Sequence, residues 1–233
     1  MTGPNPTAPS LAPILMEDGP ALRQALIDTA RATILRGLNV NKSGNVSARC
    51  LRGGTEGLLI TPTALAYEAL APDDLVFVNL DDGRCSGARA PSSEWHFHLD
   101  VLRARREFGA VVHTHSPAAT ALACHGKDLP AFHYMVAICG GENVRCAPYA
   151  TFGTQRLSEH VLTALDGRNA CLLSNHGSIG CGVDLAAALA MAQEVEHLAH
   201  TYLLARQLGE PLHLDHDEMQ RVVEKFRSSY GQR

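Results

Sequence analysis

The chain has 233 residues, 45% of them hydrophobic and 19% charged, enough to bury the core of a single domain. A formal net charge of −4 at pH 7 leaves no basic footprint for nucleic acid or an anionic membrane, and no uncharged apolar run is long enough to span a bilayer. Seven scattered cysteines, odd in number and never spaced C-x-x-C, argue against a disulfide framework and a thiolate zinc site and suit a reducing, cytoplasmic compartment.

Pro4, Pro6, Pro9 and Pro13 predict a flexible leader over residues 1–18, and Met1-Thr2-Gly3-Pro4 does not open a signal peptide. Residues 19–233 are expected to form one domain. Leu22, Ala25, Leu26, Ala30, Ile34 and Leu35 recur at helical spacing, predicting a helix over 20–38 closed by Gly37. Strands are predicted at 45–51, 57–61 and 75–79, separated by Gly53-Gly54, Pro72-Asp73-Asp74 and Asp81-Asp82-Gly83 turns. Pro91-Ser92-Ser93-Glu94 then opens a helix with hydroxyl cap candidates, followed by a strand ending at His113 and a short helix over 117–124. Strands at 144–146 and 170–173 surround a helix at 154–165, and 177–181 is a short apolar segment. Asp184 caps a long helix to about residue 208, and a last helix covers about 215–230. Strands in series without regular βαβ alternation predict a mixed α/β sandwich of α+β type rather than a doubly wound parallel sheet.

The chemistry concentrates in Ala110-Val111-Val112-His113-Thr114-His115. On a strand, residues i and i+2 share a face, so His113 and His115 can hold one metal ion. His96 and His98 have the same spacing in a predicted helix, where they project roughly 200° apart and cannot converge. His176, at the end of an apolar strand and before Gly177, is the best third ligand, and three neutral imidazoles with an open fourth position make a catalytic zinc site. Glu194, His197 and His200 read as a solvated helix face, since a bundle metal site needs a second Glu-x-x-His. His213, Asp215 and His216 fit helix capping.

Anion binding has three candidates: Ser92 and Ser93 with Glu94 at a helix start, Ser43-Gly44-Asn45, and Thr61-Pro62-Thr63. Each alone is an ordinary turn; together with a metal they imply a phosphorylated small molecule with a metal-binding oxygen.

Seven stretches resemble the class II aldolase/adducin family. They are Ser43-Gly44-Asn45-Val46-Ser47-Ala48-Arg49, Leu59-Ile60-Thr61-Pro62-Thr63, Pro91-Ser92-Ser93-Glu94-Trp95-His96-Phe97-His98, Val111-Val112-His113-Thr114-His115, Phe132-His133-Tyr134-Met135, Ala147-Pro148-Tyr149-Ala150-Thr151-Phe152-Gly153-Thr154 and Asn175-His176-Gly177. The resemblance covers nearly everything beyond the leader.

It implies a central, mainly antiparallel β-sheet flanked by helices as a three-layer sandwich, assembled as a homotetramer with sites between subunits. It also implies one Zn2+ per subunit on His113, His115 and His176, with Glu94 as a resting fourth ligand that swings away to act as base; three imidazoles also accept Mn2+ or Co2+. Gly44, Asn45, Thr63, Ser92 and Ser93 would bind phosphate, Tyr134 would donate a proton in a neighbouring subunit's site, and Tyr230 would close over substrate. The implied reaction cleaves a ketose 1-phosphate, either L-fuculose 1-phosphate or a 5-deoxy- or 5-methylthioribulose 1-phosphate, into dihydroxyacetone phosphate and an aldehyde. Competing readings within the fold are a 3-oxo-tetronate-phosphate decarboxylase, a sugar-phosphate 4-epimerase or dehydratase, and a non-enzymatic adducin-like module. Two departures bear on the phosphate loop: Lys42 adds a charge, and Ala64 stands where the family's L-fuculose 1-phosphate enzymes have glycine.

Overall fold

A computed structural model describes residues 13 and 15–228. Its strands are β1 (Met16–Glu17), β2 (Asn45–Arg52), β3 (Thr55–Ile60), β4 (Val76–Asn79), β5 (Cys85–Ser86), β6 (Ala110–Thr114), β7 (Cys146–Ala147), β8 (Ala170–Leu173) and β9 (Gly177–Gly182). The helices are α1 (Pro20–Leu35), α2 (Trp95–Ala104), α3 (Pro117–Ala123), α4 (Gln155–Ala164), α5 (Leu185–Gln207) and α6 (His216–Ser228). Among the described residues the strands form one sheet in the order β5-β4-β3-β2-β6-β9-β8-β7, with β1 added beside β2. Only β1 with β2 and β7 with β8 run parallel, so the sheet is mainly antiparallel, as expected.

Alternation along the strands sends apolar side chains to both faces, and helices cover each. Val111, Cys171, Leu173 and Ile179 pack under α2 and α4 with Phe97, Leu102, Leu157 and Val161. Val46, Ala48, Cys50, Ala110 and Val112 face α1 and α5, meeting Leu26, Ile27, Ala188 and Ala192. Ala170 and Leu172 continue that second face beneath α3 and α6. Each fully buried Leu or Ile in these layers contributes about 1.5–3 kcal/mol of burial free energy. On β9, a Cβ at Gly180 would lie 2.6 Å from the Ala192 backbone nitrogen, so glycine here lets α5 lie directly on the strand.

Several boundaries differ from the sequence reading. Within the stretch expected as leader, Met16 and Glu17 pair with Cys50 and Leu51, and Asp18 is buried between Arg23 and Arg52, so order begins before residue 19. α1 ends at Leu35 with Gly37 just beyond at φ +69°. The strand predicted at 144–146 starts two residues later, because Val144 instead bridges Leu129. Ser92 and Ser93 do not cap α2: Glu94 occupies the cap position without a side-chain cap, and Ser92 Oγ accepts from Glu94 N at 3.3 Å. Thr154 and Asp184 cap α4 and α5 through Leu157 N and Ala187 N. No helix of the described residues is long and apolar enough to cross a membrane, and all seven cysteines are free.

Candidate metal centre and active site

His113 is the fourth of the five residues of β6, all of them buried, and is itself fully buried. Its Nδ1 lies 2.9 Å from the Ser178 carbonyl on β9. A carbonyl can only accept, so the proton sits on Nδ1 and the Nε2 lone pair faces inward. His115 follows just past the strand, where its backbone N–H donates to Asn39 Oδ1 at 2.9 Å. His176 hangs in the turn between β8 and β9, next to Asn175 at φ +55°. The His113 and His115 Nε2 atoms lie 3.0 Å apart, and the three rings meet edge to face at 4.8–5.0 Å.

Glu94 reaches the same point from the start of α2. Its Oε2 is 3.2 Å from His113 Nε2 and its Oε1 is 3.2 Å from His176 Nε2. Glu94 Oε1 is buried yet has no hydrogen-bond donor. One ligand atom from each of Glu94, His113, His115 and His176 falls within a 4.8 Å span. Imidazole lone pairs crowded around an orphaned carboxylate oxygen form the donor set of a divalent cation, which binds such atoms at about 2 Å. The residues fit a metal.

The electrostatics agree. Burial works to raise the Glu94 pKa, but the neighbouring His113 and His176 rings and the Asn45 amide outweigh it and hold the carboxyl well below the usual carboxylate range. Burial, the largest cause, pushes His115 and His176 down to about 4. At neutral pH the cluster therefore offers an ionised carboxylate and neutral imidazoles on His115 and His176, the protonation state that metal ligation needs.

Glu94, His115 and His176 form one wall of a cavity of about 320 Å³ with His113 buried behind them, and Gly44, Asn45, Thr63, Ser92 and Ser93 all line it. The pairing of Pro62 with Pro91, and the hydrogen bonds from Ser92 N to Thr61 O and Thr63 N to Ala90 O, zip two of these segments together. Lys42 also lines the cavity, as do the exposed aromatics Tyr149 and Phe152. Ala64 sits at φ +59°, a left-handed conformation that glycine would adopt more readily.

Tyr134 is not brought to this cavity. It is 48% exposed and stacks parallel to Phe226 of α6 beside a second cavity. Tyr230 lies outside the described residues. Among the described residues Glu194, His197 and His200 join no ligand cluster, and both histidines are exposed. Asp215 caps α6 through Glu218 N, while His216 pairs with Glu142 and His213 with Glu210.

Two contributions escaped the sequence reading. His98 is buried and bonded to Asn45 and Ser47, and Glu196 of α5 accepts from the Ala118 and Ala119 N–H groups, anchoring the start of α3 just after His115. The Pro-Ser-Ser-Glu-Trp-His-Phe-His run was the available signal for His98; nothing local marks Glu196.

Residues 24–203 match the Class II Aldolase and Adducin N-terminal domain. The chain belongs to the class II aldolase and adducin family. A 5-methylthioribulose-1-phosphate/5-deoxyribulose-1-phosphate aldolase of Rhodospirillum rubrum is 52% identical over 211 residues, covering 91% of this chain and 93% of that protein. L-fuculose phosphate aldolase of Escherichia coli is 44% identical over 213 residues, covering 91% and 96%. A solved L-fuculose 1-phosphate aldolase superposes with a TM-score of 0.85 at 36% identity, covering 90% of this chain and 97% of that one. With these relatives, this member of the class II aldolase family is an enzyme of the lyase class.

Proposed function

We propose that the protein is a zinc-dependent aldolase that reversibly cleaves a ketose 1-phosphate into dihydroxyacetone phosphate and an aldehyde. The observation that carries this reading is the convergence of Glu94, His113, His115 and His176 in a cluster, three of whose members, Glu94, His115 and His176, line a cavity shared with the candidate phosphate-donor segments. A divalent ion on these residues supplies a Lewis acid that stabilises negative charge developing on substrate oxygen.

The protein's own groups account for the rest. The Ser92 and Ser93 hydroxyls, the Thr63 hydroxyl, the Asn45 amide and the Lys42 ammonium offer donors for the phosphate. Burial excludes water around Glu94, whose carboxylate takes the C3 proton of dihydroxyacetone phosphate in the condensing direction and returns it during cleavage. The half-exposed Tyr134 is assigned to a neighbouring subunit's cavity within a homotetramer, where it protonates the aldehyde oxygen as it becomes a hydroxyl in condensation and takes that proton back in cleavage. The residues from 19 onward, together with the β1 strand ahead of them, act as one catalytic domain in a reducing cytoplasm. Tyr149 and Phe152 give the cavity apolar surface suited to a deoxygenated or methylthio terminus, which favours 5-deoxy- and 5-methylthioribulose 1-phosphates as substrates.

The test is dihydroxyacetone phosphate release, coupled to glycerol-phosphate dehydrogenase, from fuculose, rhamnulose, 5-deoxyribulose and 5-methylthioribulose 1-phosphates. Turnover of a 5-modified ribulose phosphate is expected. Silence on all four by metal-loaded protein would overturn the aldolase reading in favour of decarboxylation.

A further inference from the structure

A polar chain runs behind the metal cluster through what is otherwise apolar core. β2 alternates Val46, Ala48 and Cys50 toward α1 and α5 with Asn45, Ser47 and Arg49 toward α2. That polar column is buried, and each member has a partner. Arg49 binds the Phe108 carbonyl, while Ser47 and Asn45 both bind His98. Ser47 Oγ lies 2.7 Å from His98 Nδ1, His98 Nε2 lies 2.5 Å from Asn45 Oδ1, and Asn45 Nδ2 lies 3.0 Å from Glu94 Oε2. Glu94 and His98 stand four residues apart, on the same side of the first turn of α2, so the chain closes a loop from helix to strand and back.

The direction of every bond follows from the carboxylate. An ionised Glu94 only accepts, so Asn45 must present Nδ2 to it, and Asn45 Oδ1 must then face His98 and receive a proton. His98 therefore carries its hydrogen on Nε2 and accepts the Ser47 hydroxyl at Nδ1. Full burial holds His98 neutral by pushing its pKa down to about 3, so one ring nitrogen donates and the other accepts. The opposite amide orientation would set Asn45 Oδ1 against the carboxylate.

We propose that His98 is a positioning residue, acting through the Asn45 carboxamide to fix the orientation in which Glu94 serves the metal site and moves its proton. This rests on the aldolase reading above. Glu94 must be held loosely enough to leave the metal and still point one way when it does; a directional amide on one oxygen, with Oε1 left free of donors, provides that. A buried histidine kept only for packing would have no need of this bond polarity.

Gln and Asn substitutions separate positioning from packing. In His98→Gln the introduced amide nitrogen can occupy the former Nε2 position and donate to Asn45, whereas His98→Asn reaches only the Nδ1 position and Ser47. His98→Gln is expected to retain turnover within about threefold of the parent. His98→Asn and His98→Leu are expected to lose roughly tenfold to hundredfold, while still binding metal. In cobalt-substituted protein the visible absorption spectrum reports the ligand field, and it should shift in the Asn and Leu variants and not in the Gln variant. Equal turnover and spectra in His98→Leu and the parent would overturn the role. So would equal losses in the Gln and Asn variants that track lowered melting temperature. If the parent turns over no ketose phosphate, the aldolase reading fails alone, because the cobalt spectra still rank the variants.

Discussion

Gly177 should be intolerant of even one added methyl group. A Cβ there would lie 2.3 Å from the Thr114 carbonyl oxygen and 3.0 Å from His115 Cδ2, against ordinary contacts of about 3.5 Å. Relieving about 1 Å of overlap means parting β9 from β6 where Ser178 pairs with Thr114, or pushing the Thr114 peptide back. Either movement carries a ligand with it, since His115 follows Thr114 and His176 precedes Gly177. Overpacking of this kind costs about 1–3 kcal/mol, and a displacement of that size at a ligand costs roughly tenfold to hundredfold in metal affinity. Thermal unfolding of metal-free protein and competition with a chromogenic chelator measure the two effects. Gly167→Ala is the control: its Cβ meets nothing within 4 Å and φ is +64°, so it should lose some stability and no metal affinity. A Gly177→Ala protein that matches the parent in both measurements would refute the reasoning.

Glu94→Gln should keep fold and metal but lose roughly 10²- to 10⁴-fold in turnover; retained activity would remove Glu94 from the base role. Lys42→Met should raise KM for a phosphorylated substrate about fivefold to tenfold with kcat little changed, and flatten the dependence of KM on salt, because an exposed ammonium contributes about 1 kcal/mol and is screened. Metal-free protein should lose stability in acid. Burial depresses the His98, His115 and His176 pKa values to about 3, 4 and 4, so between pH 6.5 and 4 the unfolded chain takes up protons that the folded chain refuses. That stability is complete above about pH 6.5 and falls as pH drops. His98 alone accounts for roughly 3 kcal/mol by pH 4, and urea unfolding of His98→Gln should show a flatter acid limb.

The three candidate histidine ligands were legible because each sits where backbone geometry leaves little choice. His113 lies on β6, His115 is the first residue past its end, and His176 precedes a glycine that the neighbouring strand requires. The second His-x-His shows where such reasoning stops. Helical spacing rightly separated His96 from His98, but spacing cannot say which of the two faces the sheet. His96 stacks on Trp95 at the edge, while His98 enters the core to meet β2. The alternation of β2 was readable as a strand, but its polar face points to a helix that supplies partners, and those partners come from more than fifty residues away. Two-residue strands such as β1 and β5 lie below any periodicity, and pairing alone defines them. Tyr134 stacks on Phe226 of α6, far along the chain, a contact that no local pattern around residue 134 announces.

The most direct test of the metal-centred account is dihydroxyacetone phosphate release by chelator-stripped protein as Zn2+ is added back. The account predicts no turnover in the stripped protein and a linear rise that breaks at one ion per chain. Undiminished turnover without metal, or a break at a different stoichiometry, would contradict it.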